Sequence, residues 1–322
     1  MPDLIIHIGF PKCASTTLQN QVFKNTEGYL GTYKGLPKAE NLAKQFKAVT
    51  PVGPRQWSNL SQAKLWAVHT QRKYPKDLER LILSDEMLTN KNKFSLFPII
   101  AFLEKFSKEI WDSGDVKVII VLRNNAEVMA SGYAQGSAGN PDASQLDFER
   151  KMKYELSNGY DRDYSEWVSK LYTTLGKECV CVLLMEEIGT DKFWYKLKSF
   201  CDLPEFEPAT MLESNKNSKR ISNNSWNILP FSAEAKANQV VNNLFGFAWP
   251  YFVFKNRREN AMRASKAKLS QFYKNKYPNA NDNREVSFEL SDNLRKNIQS
   301  HFSESTKKLS KLLGKDMAAL GY

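Results

Sequence analysis

The chain has 322 residues, 42% of them hydrophobic and 12% aromatic, enough for one large domain or two small ones around a substantial core. Lysine and arginine number 46 against 35 acidic residues, a net charge of +11; this favours an anionic partner among nucleotides, sulfated or phosphorylated ligands, nucleic acid and acidic membrane, without choosing between them. Four cysteines (Cys13, Cys179, Cys181, Cys201) form no C-x-x-C pair and three histidines (His7, His69, His301) have no ligand partner at short spacing, which argues against a zinc site, a metal enzyme and a dense disulfide framework, and for reduced thiols.

Residues 4–8 read as a buried strand and residues 16–23 as the start of a helix. "ERLILSDE" (79–86) holds a second buried strand that ends near Ser84, and a helical pattern covers 94–111. "DVKVIIVLR" (115–123) is the clearest strand: short, apolar and β-branched. Helical patterns follow at 126–135, 146–156 and 165–175, and "ECVCVLLME" (178–186) is the fourth strand. Strands alternating with helices predict an α/β fold with a central parallel sheet covered on both faces. In such folds ligands bind outside the carboxyl ends of the strands, and every polar cluster of interest here follows a strand.

Beyond residue 208 the strand signal fades. Residues 213–225 form a polar, basic loop, and 233–241, 256–272 and 289–313 read as helices. The expected organisation is one domain over 1–322, with an α/β core (1–212), the basic loop (213–225) and a helical C-terminal extension (226–322). The first apolar run is too short for a signal peptide. The most apolar stretch, "LFGFAWPYFVF" (244–254), is far shorter than the roughly 20 residues of a bilayer span. A soluble, cytoplasmic protein is expected, with no nucleic-acid-binding motif. The same stretch, followed by "KNRREN", reads as buried, with peripheral contact to an anionic membrane surface as the alternative.

The segment "HIGFPKCASTTLQ" (7–19) has the strand–loop–helix order of an anion site. The first N–H groups of a helix lack partners and carry the positive end of its dipole. Lys12 adds a full charge, and Ser15, Thr16 and Thr17 add hydroxyl donors. The pattern G-x-x-x-x-G-K-[ST] is absent, because the lysine precedes the hydroxyl residues by several positions. The plain alternative is a helix capped by Ser15 or Thr16. A second cluster follows the clearest strand: Arg123 closes it, and Ser131 lies eight residues on, two turns into the next helix. An arginine and a hydroxyl grip a phosphate by charge-assisted hydrogen bonds.

These two motifs resemble those of sulfotransferases that use 3′-phosphoadenosine 5′-phosphosulfate (PAPS). Members of that family read approximately as a strand, H-I-G, P-K-[TSC]-[GA]-[ST]-[ST] and x-L-Q. The resemblance implies a P-loop-like three-layer fold, PAPS as donor, PAP as product and no metal. It implies that Lys12 reaches the oxygen bridging the 5′-phosphate and the sulfuryl group, with Cys13, Ala14, Ser15, Thr16 and Thr17 forming the loop and helix start. Ala14 stands where the family often has glycine; alanine tolerates positive φ poorly, so the loop is expected to be held slightly differently. In the family the R-x7-S spacing is the 3′-phosphate site, which assigns Arg123 and Ser131. Tyr133 and Gln135 fit its S-x-Y-x-Q ending, whereas Asn125 and Val128 depart from the proline and arginine often found there. A late basic loop that closes over the nucleotide is matched by "NKNSKR" with Lys216, Lys219 and Arg220; a solvated charge run is the equal alternative. The ending "SKLLGKDMAALGY" resembles the tail of many bacterial members.

Sulfuryl transfer resembles phosphoryl transfer: in-line attack, a loose transition state, and catalysis by positioning and charge stabilisation. Lys12 would neutralise charge on the leaving phosphate. The acceptor must lose a proton to a general base. Many bacterial and glycan sulfotransferases carry S-x-E after the second strand and use that glutamate; Ser84 and Glu86 match, with Asp85 as a competitor. His69 falls in a helical segment and His7 inside the first strand, where both read as structural. Tyr133, Gln135, Tyr160, Tyr164 and Trp167 are candidates for an acceptor cleft or for core. The expectation is sulfuryl transfer to a hydroxyl, less readily an amine, of a glycan, glycolipid or metabolite. The alternatives are a small-molecule kinase of P-loop type and a non-catalytic nucleotide-binding module.

Overall fold

The structure is a computed structural model that describes residues 3–31, 78–84, 96–111, 114–158, 162–204, 220–248, 255–282 and 284–322. Two compact units divide the chain. The first comprises Met1–Asn125, Asp161–Lys216 and Phe302–Tyr322, and the second Ala126–Tyr160 and Asn217–His301.

The first unit is built on a five-stranded sheet of β1 (Asp3–His7), β2 (Tyr29–Gly31), β3 (Arg80–Ser84), β4 (Val116–Leu122) and β5 (Val180–Leu184). The strand order is β2-β3-β1-β4-β5, and every neighbouring pair is parallel. All five residues of β5 and all but the first of β1 and β3 are buried, which is why these segments read as continuous apolar runs and not as alternating ones. Strand β1 lies at the centre. From it the chain moves outward to β2 and β3 on one side and then to β4 and β5 on the other. The carboxyl ends of β1 and β4 therefore flank the switch point where α/β sheets take their ligands.

After β1 a short α-helix, α1 (Ser15–Thr17), runs on as a π-helical turn (Leu18–Val22) and a 3₁₀ turn (Phe23–Asn25). Helix α2 (Leu96–Lys105) precedes β4. Helix α5 (Tyr164–Leu175) packs on β4 and β5, and α6 (Asp191–Cys201) on β5. Helix α5 begins at Asp163, whose carboxylate accepts from Glu166 N at 3.0 Å, and ends at Gly176 with φ 89°. Its buried residues Tyr164, Trp167, Val168 and Leu171 fall at helical spacing on one stripe. Helix α10 (Ser303–Leu313) packs on α5, and its Ser305 hydroxyl donates to Asp163 at 2.6 Å.

The second unit holds α3 (Asn125–Gly136, from Ala126 on), α4 (Gln145–Ser157), α7 (Ala233–Ala248), α8 (Lys255–Lys276) and α9 (Asp292–His301). It also contains a two-stranded antiparallel ribbon, β6 (Ser225–Asn227) with β7 (Ser287–Glu289), in the stretch where the sequence shows no strand signal. An aromatic cluster forms its core. Phe288 meets Phe148 at 4.4 Å, Tyr133 at 4.9 Å and Trp226 at 5.8 Å between ring centroids. The four cysteines are free thiols, and burial pushes Cys181 up to about 12. No helix among the described residues is long and apolar enough to cross a membrane.

Candidate anion-binding site

The loop after β1 has an unusual backbone. Lys12 (φ 71°) and Ala14 (φ 58°) both adopt the left-handed region, which disfavours residues with a Cβ. Ala14 is the residue before the first helical turn. No side chain caps that turn, so the reading of Ser15 or Thr16 as an ordinary cap does not hold. Instead Ser15 and Thr17 enter the helix buried, Thr16 is exposed, Lys12 is half-buried and Cys13 is fully enclosed. The Ser15 side chain is buried and its hydroxyl has no hydrogen-bond partner. Gly9 allows a close approach beside it: a Cβ added there would stand 2.9 Å from Ser15 Oγ and 2.5 Å from His7 Nε2, too near for either to stay in place. An orphaned donor, a helix start without a cap and a half-buried lysine suit a bound anion.

Arg123, one residue past β4, is 8% exposed. Its Nη1 donates to the Lys12 carbonyl at 3.0 Å, joining two motifs 111 residues apart across adjacent strands. Behind it stands a network of which the sequence singles out only Tyr164, as an acceptor-cleft or core candidate. Tyr164 OH donates to the Arg123 carbonyl at 2.9 Å. The Asn124 amide donates to Glu186 Oε1 at 2.8 Å, its side chain donates to the Gly321 carbonyl, and Tyr322 OH donates to Glu186 Oε2 at 2.8 Å. Burial pushes the Glu186 carboxyl up, against the lowering effect of these donors and of Arg123. Burial likewise pushes the Tyr322 hydroxyl well up. Glu186 closes the fourth predicted strand, but nothing in its local sequence marks it as a partner of Asn124.

His7 lies at the end of β1, fully buried. Its Nδ1 is 2.7 Å from Ser84 Oγ, and that oxygen accepts from Gln19 Nε2 at 3.0 Å. Burial pulls the imidazole down to about 3, so it is neutral across the physiological range.

The remaining expected site residues fall as follows. Ser131 is buried on α3 in the second unit. Arg220, also in that unit, bonds Glu127 at 3.2 Å, the carbonyls of Ser222 (3.0 Å) and Asn223 (2.7 Å), and covers the Trp226 ring at 5.4 Å. Glu86, Asp85, Lys216, Lys219, His69 and Tyr160 lie outside the described residues. Tyr133 belongs to the aromatic core of the second unit, its hydroxyl donating to Asp147 at 2.7 Å. Tyr164 and Trp167 pack edge-on against Phe10 in the first unit, whereas Gln135 is exposed. Among the described residues no group of three or more histidine, cysteine or acidic side chains is placed to hold a metal ion.

A parallel sheet in this order, with a loop after its central strand and an arginine after the next, defines an α/β protein whose candidate site lies at the switch point of its sheet. No protein-family model matches the chain, and no curated protein matches it in sequence. Among solved structures it is similar to a sulfotransferase from Alicyclobacillus acidocaldarius, at 13% identity over 99% of this chain and 98% of that one, with a TM-score of 0.47. It is also similar to mouse sulfotransferase SULT7A1 complexed with PAP, at 13% identity over 86% of this chain and 89% of that one, with a TM-score of 0.37. A third similar structure is retinol dehydratase in complex with androsterone and inactive cofactor PAP, at 11% identity over 88% and 82%, with a TM-score of 0.30.

Proposed function

We propose that this chain is a PAPS-dependent sulfotransferase acting on a hydroxyl, less readily an amine, of a glycan or glycolipid acceptor. One observation carries the reading: the guanidinium of Arg123, the first residue of the second motif, bonds the carbonyl of Lys12 in the first, beside the switch point of the sheet. The orphaned Ser15 hydroxyl and the two left-handed residues of the loop support it.

In this reading Lys12, Ser15, Thr16 and Thr17 hold the 5′-phosphosulfate, with Cys13 and Ala14 shaping the loop. Arg123 and Ser131 serve the 3′-phosphate, and Lys219 and Arg220 belong to the late basic loop. Glu86, two residues beyond the end of β3, takes the acceptor proton. The acceptor oxygen forms its bond to sulfur as the bond from sulfur to the phosphate oxygen breaks. Lys12 neutralises the charge left on that oxygen.

The test is a thermal-shift titration with PAP and with ATP, each with and without magnesium. A ligand that binds only the folded state stabilises it by about 2.7 kcal/mol at a hundredfold excess over its dissociation constant. A metal-independent shift with PAP and little with ATP is expected. A magnesium-dependent shift with ATP alone would replace this reading by a kinase. Glu86→Gln is expected to abolish transfer from labelled PAPS while leaving the PAP shift in place.

A further inference from the structure

His7 is an unexplained feature of the loop. It is fully buried, is held neutral by burial, and has one ring nitrogen, Nε2, without a hydrogen-bond partner. An unsatisfied buried donor or acceptor costs about 1–3 kcal/mol, so such an atom calls for a reason. A second buried atom in the same condition, Ser15 Oγ, lies across Gly9 from it. Both atoms lie within 3 Å of the place a Cβ on Gly9 would take, which puts them close enough to one another for a single oxygen to bridge them.

The other ring nitrogen determines what Nε2 offers. Ser84 is fully buried, and its Oγ accepts from the Gln19 amide. The Ser84 hydroxyl proton needs an acceptor, and His7 Nδ1 is 2.7 Å away. With Nδ1 accepting, the ring proton resides on Nε2. The chain Gln19–Ser84–His7, drawn from the π turn, β3 and β1, thus presents a neutral N–H donor beside Gly9, on the side where Ser15 Oγ stands.

We propose that His7 is a ligand-binding residue, donating from Nε2, together with the Ser15 hydroxyl, to one phosphate oxygen of the anion held in the loop. The proposal rests on the nucleotide reading above and adds a residue to it. A neutral donor suits this place. It hydrogen-bonds the phosphate without adding charge beneath Lys12, so binding through it does not weaken as pH rises through the ordinary histidine range.

The experiment is nitrogen-15 NMR of the histidine rings. Only three histidines are present, and the His7 signals are those missing from His7→Gln. In the free protein His7 is expected as the Nε2–H tautomer, unchanged between about pH 5 and 8. Addition of PAP is expected to move its Nε2 and attached proton. His7→Phe is expected to weaken PAP binding about tenfold or more. Gly9→Ala, whose methyl would press on His7 Nε2 and Ser15 Oγ and displace them, is expected to do the same. An Nδ1–H tautomer, or PAP binding that leaves the His7 signals in place, would overturn the proposal while sparing the nucleotide reading. Absence of any PAP binding would sink that reading, and the same spectra with inorganic phosphate then decide His7: movement of Nε2 keeps it as a phosphate donor, and no movement removes it.

Discussion

Ala14 gives the sharpest test of the loop. Its φ of 58° and ψ of 8° put an L-residue in the left-handed region, which costs about 1–2 kcal/mol relative to the right-handed one. Ala14→Gly removes that cost but adds about 0.5–1 kcal/mol of chain entropy to the unfolded state. The half-buried methyl forfeits about 0.4 kcal/mol more. The net gain is about 0.5 kcal/mol. Ala14→Val works in the opposite direction, because a β-branched residue at positive φ is a steric outlier; about 1–2 kcal/mol is lost. Urea denaturation of the three proteins should therefore rank them Gly, Ala, Val in falling stability. A right-handed Ala14 would rank them Ala, Val, Gly by helix propensity. That second order would refute the loop geometry, and with it the argument that the helix start is left uncapped to receive an anion.

Four further outcomes follow from named contacts. His7, pulled to about 3 in the folded chain, is protonated only in the unfolded chain below its ordinary value of 6.5, so its contribution falls as pH drops through that window. Between pH 7 and pH 5 this amounts to about 2 kcal/mol, read as the difference in denaturation free energy between the parent and His7→Gln. Arg123→Lys, which loses the Nη1 hydrogen bond to the Lys12 carbonyl and the planar guanidinium, should lower PAP affinity by about ten- to a hundredfold in calorimetry, with the fold intact by circular dichroism. Tyr322→Phe leaves Glu186 Oε2 without its donor and should cost about 1–2 kcal/mol in urea denaturation. Glu127→Gln leaves Arg220 (3.2 Å) and Arg295 (3.0 Å) without their counter-charge and should destabilise the protein by about 2 kcal/mol in the same assay.

The sheet could be read where each strand is its own signal. Strands β1, β3, β4 and β5 are apolar runs because both their faces are covered, and no partner is needed to recognise them. Strand β2 is three residues at the sheet edge, and β6 and β7 are three residues each; such short pieces form because their partners are already in place. The expectation for Ala14 was that alanine would resist the glycine-like conformation. The structure adopts that conformation nonetheless, and Lys12 shares it, which local propensity alone would not predict.

The site divides along the same line. Lys12 and Arg123 each follow a strand whose pattern is local, so order and spacing were enough to bring them forward. Glu186, Asn124 and Tyr322 join through hydrogen bonds spanning 62 to 197 residues, and no local pattern encodes a contact of that separation. His7 is the intermediate case. Its burial was readable from the strand that carries it. Its chemistry depends on Ser84, 77 residues away, and on the missing side chain of Gly9. A residue assigned to structure by its position on a strand thus becomes a candidate for ligand binding once its second nitrogen is found without a partner, close to an unpartnered hydroxyl across Gly9.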